Sequence, residues 1–229
     1  MPDVQSVLVA PLNFTPKAVF FDLDGTLIDS LPDIDAAINK AALSMGLAAP
    51  SHAKVQAWIG NGAGALVERV LADSIHIPAQ RDPRYEALLE GYMQAYGELE
   101  HAYSHIYAGV ESLLSYWQQQ GVKLAVITNK ATRFTPSILE HFGILHYFDE
   151  VYCGDTFAEK KPHPMPLLKA CEAFSIEPSQ ALMVGDSRND VGAAQNAGVA
   201  CLAVRGGYNH GEDIALAKPT WIVDNLELV

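Results

Sequence analysis

Asp22 and Asp24 stand two residues apart, directly behind the apolar run Ala18–Phe21, and are followed by Gly25 and Thr26. Two carboxylates at close range repel unless a cation offsets them. Asp186 and Asp190, behind a second apolar run at Ala181–Val184, add further negative charge. Oxygen ligands with room for water are what Mg²⁺ takes. A carboxylate can also attack phosphorus and form an aspartyl-phosphate. The second member of the pair could then protonate the leaving oxygen and later activate water. A lone Asp at a strand end is ordinarily a turn former or a helix cap. Asp-x-Asp-Gly-Thr after four apolar residues is hard to explain as a turn alone.

Other residues have the chemistry to hold an anion. Thr128, behind Leu124–Ile127, supplies a hydroxyl, and a backbone N–H past a strand end can donate to an oxyanion. The pair Lys160-Lys161, stiffened by Pro162, can bring positive charge to a transferring group. Which of the two lysines points inward stays open at this level. His101 and His105 have the spacing of a helical metal pair, but no Cys or third His lies near them. Tyr85, Tyr92, Met93 and Tyr96 form a near-helical stripe that reads as packing. Gly60 to Gly64 is glycine-rich but lacks the Lys-Ser/Thr of a nucleotide P-loop. It reads as a turn between helices whose backbone N–H groups could touch a substrate. Cys153, Cys171 and Cys201 form no C-x-x-C pair and sit in apolar stretches, as small core hydrophobes of a reduced compartment would.

The elements that must position these groups follow from the apolar runs. Ala18–Phe21, Leu124–Thr128, Val151–Cys153, Ala181–Val184 and Ala200–Val204 read as buried strands, with Trp221–Val223 a candidate sixth. Between them lie helical faces. Val110, Leu113, Leu114 and Trp117 make one, with Gly121 placed to end it, and Leu167, Leu168, Cys171 and Phe174 make another. Alternating strands and helices imply right-handed crossovers and a mostly parallel sheet. In such a sheet the strand C-termini share one edge, where ligands bind. Asp22, Thr128 and Asp186 should meet there. From about Leu31 to Tyr103 the alternation fails and only helical patterns appear. Ser30 and Pro32 start one, with Ile34, Ile38, Ala41, Ala42 and Met45 on a face. Leu66, Val67, Val70 and Leu71 mark another, and Tyr85 to Leu99 a third. The expected architecture is α/β. A Rossmann-like core, residues 17–30 and 104–229, carries a smaller all-helical cap domain, residues 31–103, inserted after the first strand. Residues 1–16 read as an N-terminal extension.

The whole chain of 229 residues has a formal net charge of -12, whereas a non-specific nucleic-acid binder would be basic. No run approaches a membrane span, and the apolar stretch Val7 to Leu12 is short, holds a Pro and lacks a basic flank. The expectation is a cytoplasmic monomer or homodimer with neither nucleic acid nor membrane as partner. It must build a local positive site for a small anionic substrate.

Taken in order, Asp22-Leu-Asp24-Gly-Thr26, Thr128-Asn129, Lys161-Pro162 and Gly185-Asp186-Ser187-x-x-Asp190 resemble the four motifs of the haloacid dehalogenase superfamily, over about Lys17 to Val229. The resemblance implies Asp22 as nucleophile and Asp24 as general acid and base. It implies Mg²⁺ held by Asp22, Asp186 and the backbone oxygen of Asp24. Thr128 and Lys161 would orient and neutralise the phosphoryl group, with Asn129, Ser187 and Asp190 in phosphate-binding or supporting places. The carbon–halogen hydrolases of the superfamily lack the second Asp of the first motif, so Asp24 argues against that activity. Trp58-Ile-Gly-Asn-Gly-Ala63, Lys160-Lys-Pro-His-Pro164, Gly185-Asp-Ser-Arg-Asn-Asp190 and Gly207-Tyr-Asn-His-Gly-Glu212 are similar to bacterial phosphoglycolate phosphatases. That implies hydrolysis of 2-phosphoglycolate, a small anionic phosphate ester, with substrate choice made in the cap, where Asn61, Gly62 and Arg69 are candidates. Two enzymatic alternatives share the core motifs: a phosphatase for another small or sugar phosphate, such as N-acetylmuramate 6-phosphate, and a β-phosphoglucomutase-like mutase. A non-catalytic phospho-receiver is disfavoured by the Asp-x-Asp spacing and the long insertion, and a dead binding protein by the presence of every group the chemistry needs.

Overall fold

The computed structural model describes residues 12 and 14–227. Its centre is a six-stranded sheet in the order β5-β4-β1-β6-β7-β8, and every neighbouring pair is parallel. The strands are β1 (Ala18–Phe21), β4 (Lys123–Ile127), β5 (Glu150–Tyr152), β6 (Ala181–Gly185), β7 (Ala200–Val204) and β8 (Trp221–Val223). Successive side chains of a strand point to opposite faces. Val19, Phe21, Leu124 and Val126 therefore pack on α5 (Val110–Gln119), while Ala18, Phe20, Ala125 and Ile127 meet α7 (Met165–Ala173) and α8 (Arg188–Ala197). Burial on both faces is why the strands read as unbroken apolar runs. The stripe Val110, Leu113, Leu114 and Trp117 is buried, and Gly121 takes a left-handed turn at φ 70° just past the helix end.

The helical insertion leaves and rejoins through a two-stranded antiparallel ribbon, β2 (Ile28–Asp29) with β3 (His105–Ile106). Between them run α1 (Leu31–Ser44), α2 (His52–Trp58), α3 (Ala63–Ala72) and α4 (Tyr85–Glu98). The insertion has its own core, with Ile34, Ile38, Leu66, Leu88, Tyr92 and Tyr96 buried, and it takes in Phe134 and Tyr208 from the sheet side. Asp33, buried in the first turn of α1, accepts from the backbone N–H of Tyr103 at 3.1 Å and of Ser104 at 2.8 Å. It thus ties the returning chain to the departing one.

Several details differ from the sequence reading. β4 and β5 each begin one residue earlier than their apolar runs, because ladder pairing extends to Lys123 and Glu150. The ribbon, α2, α8 and α6 (Thr135–His141) had no periodic signal strong enough to read. α8 buries three alanines beside Asn189, Asp190 and Val191, and is held by a capping box at Ser187 and a left-handed Gly198. Ser30 starts α1, yet its hydroxyl makes no cap and goes instead to Asp24. Most of the stretch read as an extension, residues 1–16, lies outside the described residues; Leu12 is buried in the sheet core and Phe14 stacks on Trp221 at 6.2 Å. Among the described residues no helix is long and apolar enough to cross a membrane.

Leu114 is fully buried between α5 and the sheet, whereas Leu216 is 73% exposed. Leu114→Ala should destabilise by about 2–5 kcal/mol. Leu216→Ala should stay within about 0.5 kcal/mol of the parent. Urea unfolding midpoints read both, and equal shifts would contradict this core assignment.

Candidate active site

Three adjacent strands deliver the site. Phe21 at the end of β1 pairs with Val126 of β4 on one side and Val184 of β6 on the other. Asp22, Thr128 and Asp186 therefore emerge together at the C-terminal edge, although up to 164 positions separate them in sequence. Asp22 continues the ladder by donating its N–H to Val184 O at 2.9 Å, and its Oδ1 accepts from Leu23 N at 2.7 Å. Gly25 then turns at φ 88°, where a Cβ would collide with the Asp186 carboxylate, so the residue after Asp24 has to be glycine. Thr26 donates its hydroxyl to Asp186 Oδ1 at 2.7 Å, and the N–H of Tyr208 donates to Asp186 Oδ2 at 2.5 Å.

Of the two lysines, Lys161 reaches these carboxylates. Its Nζ lies 2.9 Å from Asp22 Oδ1 and 2.6 Å from Asp190 Oδ1, and the side chain is buried. Lys160 instead donates to the backbone oxygen of Asn61 at 2.7 Å. Asp190 Oδ2 accepts from the N–H and hydroxyl of Ser187 at 3.0 and 2.7 Å, so Ser187 serves Asp190 and the start of α8. One oxygen each from Asp22, Asp186 and Asp190 lie within 4.8 Å of one another. Three buried carboxylates against one ammonium leave negative charge in excess. Burial, then the Asp190 charge, pushes Asp22 up to about 7 against the pull of Lys161. Burial, Asp190 and Asp22 likewise raise Asp186 well above the carboxylate range. Burial would lower the Lys161 ammonium, but Asp190 and Asp22 outweigh it and hold it charged. An all-oxygen donor set with uncompensated charge fits a hard divalent cation.

Asp24 faces different company. Its Oδ1 accepts from the Ser30 hydroxyl at 2.5 Å and from Lys130 Nζ at 2.9 Å, so its side chain stands apart from the carboxylate cluster. Lys130 was not singled out from sequence, although it directly follows Thr128-Asn129; that position past a strand end was the available signal. Burial opposes its charge, and Asp24, Tyr96 and Tyr92 overcome that and keep its pKa raised. Its Nζ sits 4.6 Å from the centre of the Tyr96 ring.

Between the sheet edge and the insertion lies a cavity of about 50 Å³, with Asp22, Asp24 and Thr128 on one side and Ile59, Gly62 and Tyr92 on the other. Thr128 is buried, and its hydroxyl accepts from Lys130 N at 3.1 Å. Tyr92 and Tyr96 pack in the core of the insertion and also line this cavity, a double role that the stripe reading did not contain. Asn129 and Asn61 clasp the insertion to the sheet side. Asn129 donates its amide to Gly60 O and Lys161 O, both at 2.9 Å. Asn61 donates to Asn189 Oδ1 at 3.2 Å and accepts from Arg69 at 2.8 Å. Arg69 also donates to Ile75 O at 3.1 Å and to Trp58 O, so its guanidinium is committed within the insertion. Gly62, at φ 85°, opens α3 on the cavity wall. His101 meets Ser137 at 3.1 Å and His105 meets Asp29 at 3.5 Å, so these two histidines point to different partners.

A family model described as haloacid dehalogenase-like hydrolase matches residues 19–204. The phosphoglycolate phosphatase 1 of Pseudomonas aeruginosa is 46% identical over 92% of this chain and 77% of that protein. The phosphoglycolate phosphatase of Vibrio cholerae is 43% identical over 92% of this chain and 93% of that one. The crystal structure of a predicted phosphoglycolate phosphatase from Haemophilus somnus superposes with a TM-score of 0.87 at 38% identity, covering 94% of this chain and 96% of that one. Motif, sheet order and sequence likeness agree, and the chain belongs to the haloacid dehalogenase-like hydrolase family.

Proposed function

We propose that the chain is a Mg²⁺-dependent phosphomonoesterase that hydrolyses 2-phosphoglycolate to glycolate and phosphate through an aspartyl-phosphate on Asp22. The observation that carries this reading is the contrast between neighbouring carboxylates. Asp22 lies against Lys161 in the oxygen cluster, while Asp24 lies against Ser30 and Lys130 beside the cavity. Two carboxylates in different surroundings can take different roles, one as nucleophile and one as proton carrier. The names of the relatives and the small cavity support a small ester as substrate.

Asp22, Asp186 and the backbone oxygen of Asp24 would hold the metal, with Asp190 behind them. When bound, Mg²⁺ supplies the charge that offsets the carboxylates and polarises a phosphoryl oxygen. An oxygen of Asp22 bonds to phosphorus as the ester P–O bond breaks. Asp24 gives its proton to the departing glycolate oxygen. Lys161 balances charge on the transferring group, and the Thr128 hydroxyl orients it. Asp24, now ionised, takes a proton from the water that attacks the aspartyl-phosphate, which returns Asp22 and releases phosphate. Residues 31–103 form the cap that excludes bulk water, and residues 17–30 and 104–229 form the catalytic core.

Phosphate release should depend on Mg²⁺, stop with EDTA and favour 2-phosphoglycolate over hexose phosphates and N-acetylmuramate 6-phosphate. Preference for another ester would move the substrate assignment and leave the chemistry standing. Asp22→Asn should lower kcat by about a thousandfold or more without loss of fold; ordinary turnover, with deamidation excluded by mass spectrometry, would reject the nucleophile.

The raised Asp22 pKa gives a further test. Its folded value of about 7 exceeds the ordinary 3.8, so the fold favours the protonated form. The stability this contributes is complete below about pH 4 and is lost as pH rises through about 7. Metal-free protein should therefore melt lower at pH 8 than at pH 5, and Mg²⁺ should raise Tm more at pH 8. A Mg²⁺ effect that shrinks with rising pH would remove the metal from this cluster.

A further inference from the structure

We propose that Lys130 and Tyr96 form a carboxylate subsite, in which the Lys130 ammonium and the Tyr96 hydroxyl grip the acid end of the substrate while its phosphate meets Asp22. This rests on the phosphoglycolate reading and adds to it the residues that recognise the second anion.

A dianionic phosphate and a carboxylate on one two-carbon frame need two separate positive or donating sites. Lys161 is sealed behind Asp22 and Asp190 and belongs to the phosphate end. Lys160 is engaged with Asn61 O, and Arg69 with Trp58 O, Ile75 O and Asn61 Oδ1. Among the described residues that line the cavity, Lys130 carries the positive charge. Its ammonium has three N–H groups, and Asp24 takes one of them, at 2.9 Å. Tyr96 supplies the second, independent observation. Its residue is 2% exposed, it lines the same cavity, and its buried hydroxyl has no acceptor in reach, with the Lys130 ammonium as its polar neighbour. A buried hydroxyl left unpaired is costly, so it calls for an acceptor that arrives with a ligand.

The surrounding wall strengthens the assignment. Ile34, Ile59, Leu66 and Phe134 line the cavity around these two groups. In so apolar a setting a charge-assisted hydrogen bond counts for more than in water. An ester that lacks the carboxylate would leave the Tyr96 hydroxyl without an acceptor and Lys130 with Asp24 as its anionic partner.

The test is calorimetric titration of Mg²⁺-loaded Asp22→Asn protein, in which turnover is blocked. The ligands are 2-phosphoglycolate and ethyl phosphate, which share the phosphate and differ in the carboxylate. Adding Lys130→Met should weaken 2-phosphoglycolate by about 10- to 100-fold and ethyl phosphate by less than about threefold. Adding Tyr96→Phe, which leaves the Lys130–Asp24 pair in place, should weaken 2-phosphoglycolate by about 3- to 10-fold and spare ethyl phosphate. Tyr96→Phe decides the matter should Lys130→Met fail to fold, as judged by circular dichroism. Equal weakening of both ligands, or no change in either, would overturn the subsite. Failure of the wild-type enzyme to release phosphate from 2-phosphoglycolate would instead defeat the substrate reading. The two failures are therefore separable.

Discussion

The contact between Lys161 and the pair Asp22 and Asp190 is the constraint around which the sheet edge is built. An ammonium with its side chain 1% exposed is tolerable only when opposite charge is held against it. Each partner comes from a different element: Asp22 from the end of β1, Asp190 from the first turn of α8, Lys161 from the loop before α7. The strand register and the capping box of α8 must both be right before the charges can meet. Lys161 still cannot balance three carboxylates. Burial, and after it the remaining charge, shifts Asp22 and Asp186 upward, and together they turn a stabilising cluster into a demand for a cation.

The junction between sheet and insertion is of another kind. Gly60 O accepts from Asn129 at 2.9 Å and Asn189 at 3.1 Å, and Ala57 O meets His210 Nδ1 at 2.9 Å. Most of these donors are neutral side chains and the acceptors are backbone carbonyls, all of which water can satisfy nearly as well. A junction of this type holds an orientation without locking it. The Lys161 cluster differs in that none of its members can be left unpaired.

Much of the sheet was legible because strands buried on both faces leave apolar runs, and their polar ends are conspicuous. Asp22, Thr128 and Asp186 could be placed at one edge from that alone. The choice between Lys160 and Lys161 was not legible in the residue types, since adjacent residues of one type differ only in the direction the folded chain gives them; the family resemblance alone pointed to Lys161. Asn61 and Arg69, the candidates for substrate choice in the cap, hydrogen-bond to each other, to Asn189 and to Trp58 O, partners that no local pattern records. Lys130 depends on Asp24, 106 positions away, and no local pattern records that pairing. Tyr92 and Tyr96 look like core residues because they are core residues; their position on a cavity wall appears only when α4 is laid over the sheet edge. The ribbon strands, two residues each, are too short for any period to register.

That ribbon has a further consequence. Asp29 and His105 sit opposite each other, so the polypeptide departs from the sheet and returns to it at a single point. Everything between them is topologically a cassette. Its length, helix count and wall chemistry lie outside the strand order that places Asp22, Thr128 and Asp186 at one edge. A lineage could retain one reaction centre and acquire new substrates by replacing a graft. A protein engineer could do the same by splicing a foreign helical segment between Ile28 and Ile106.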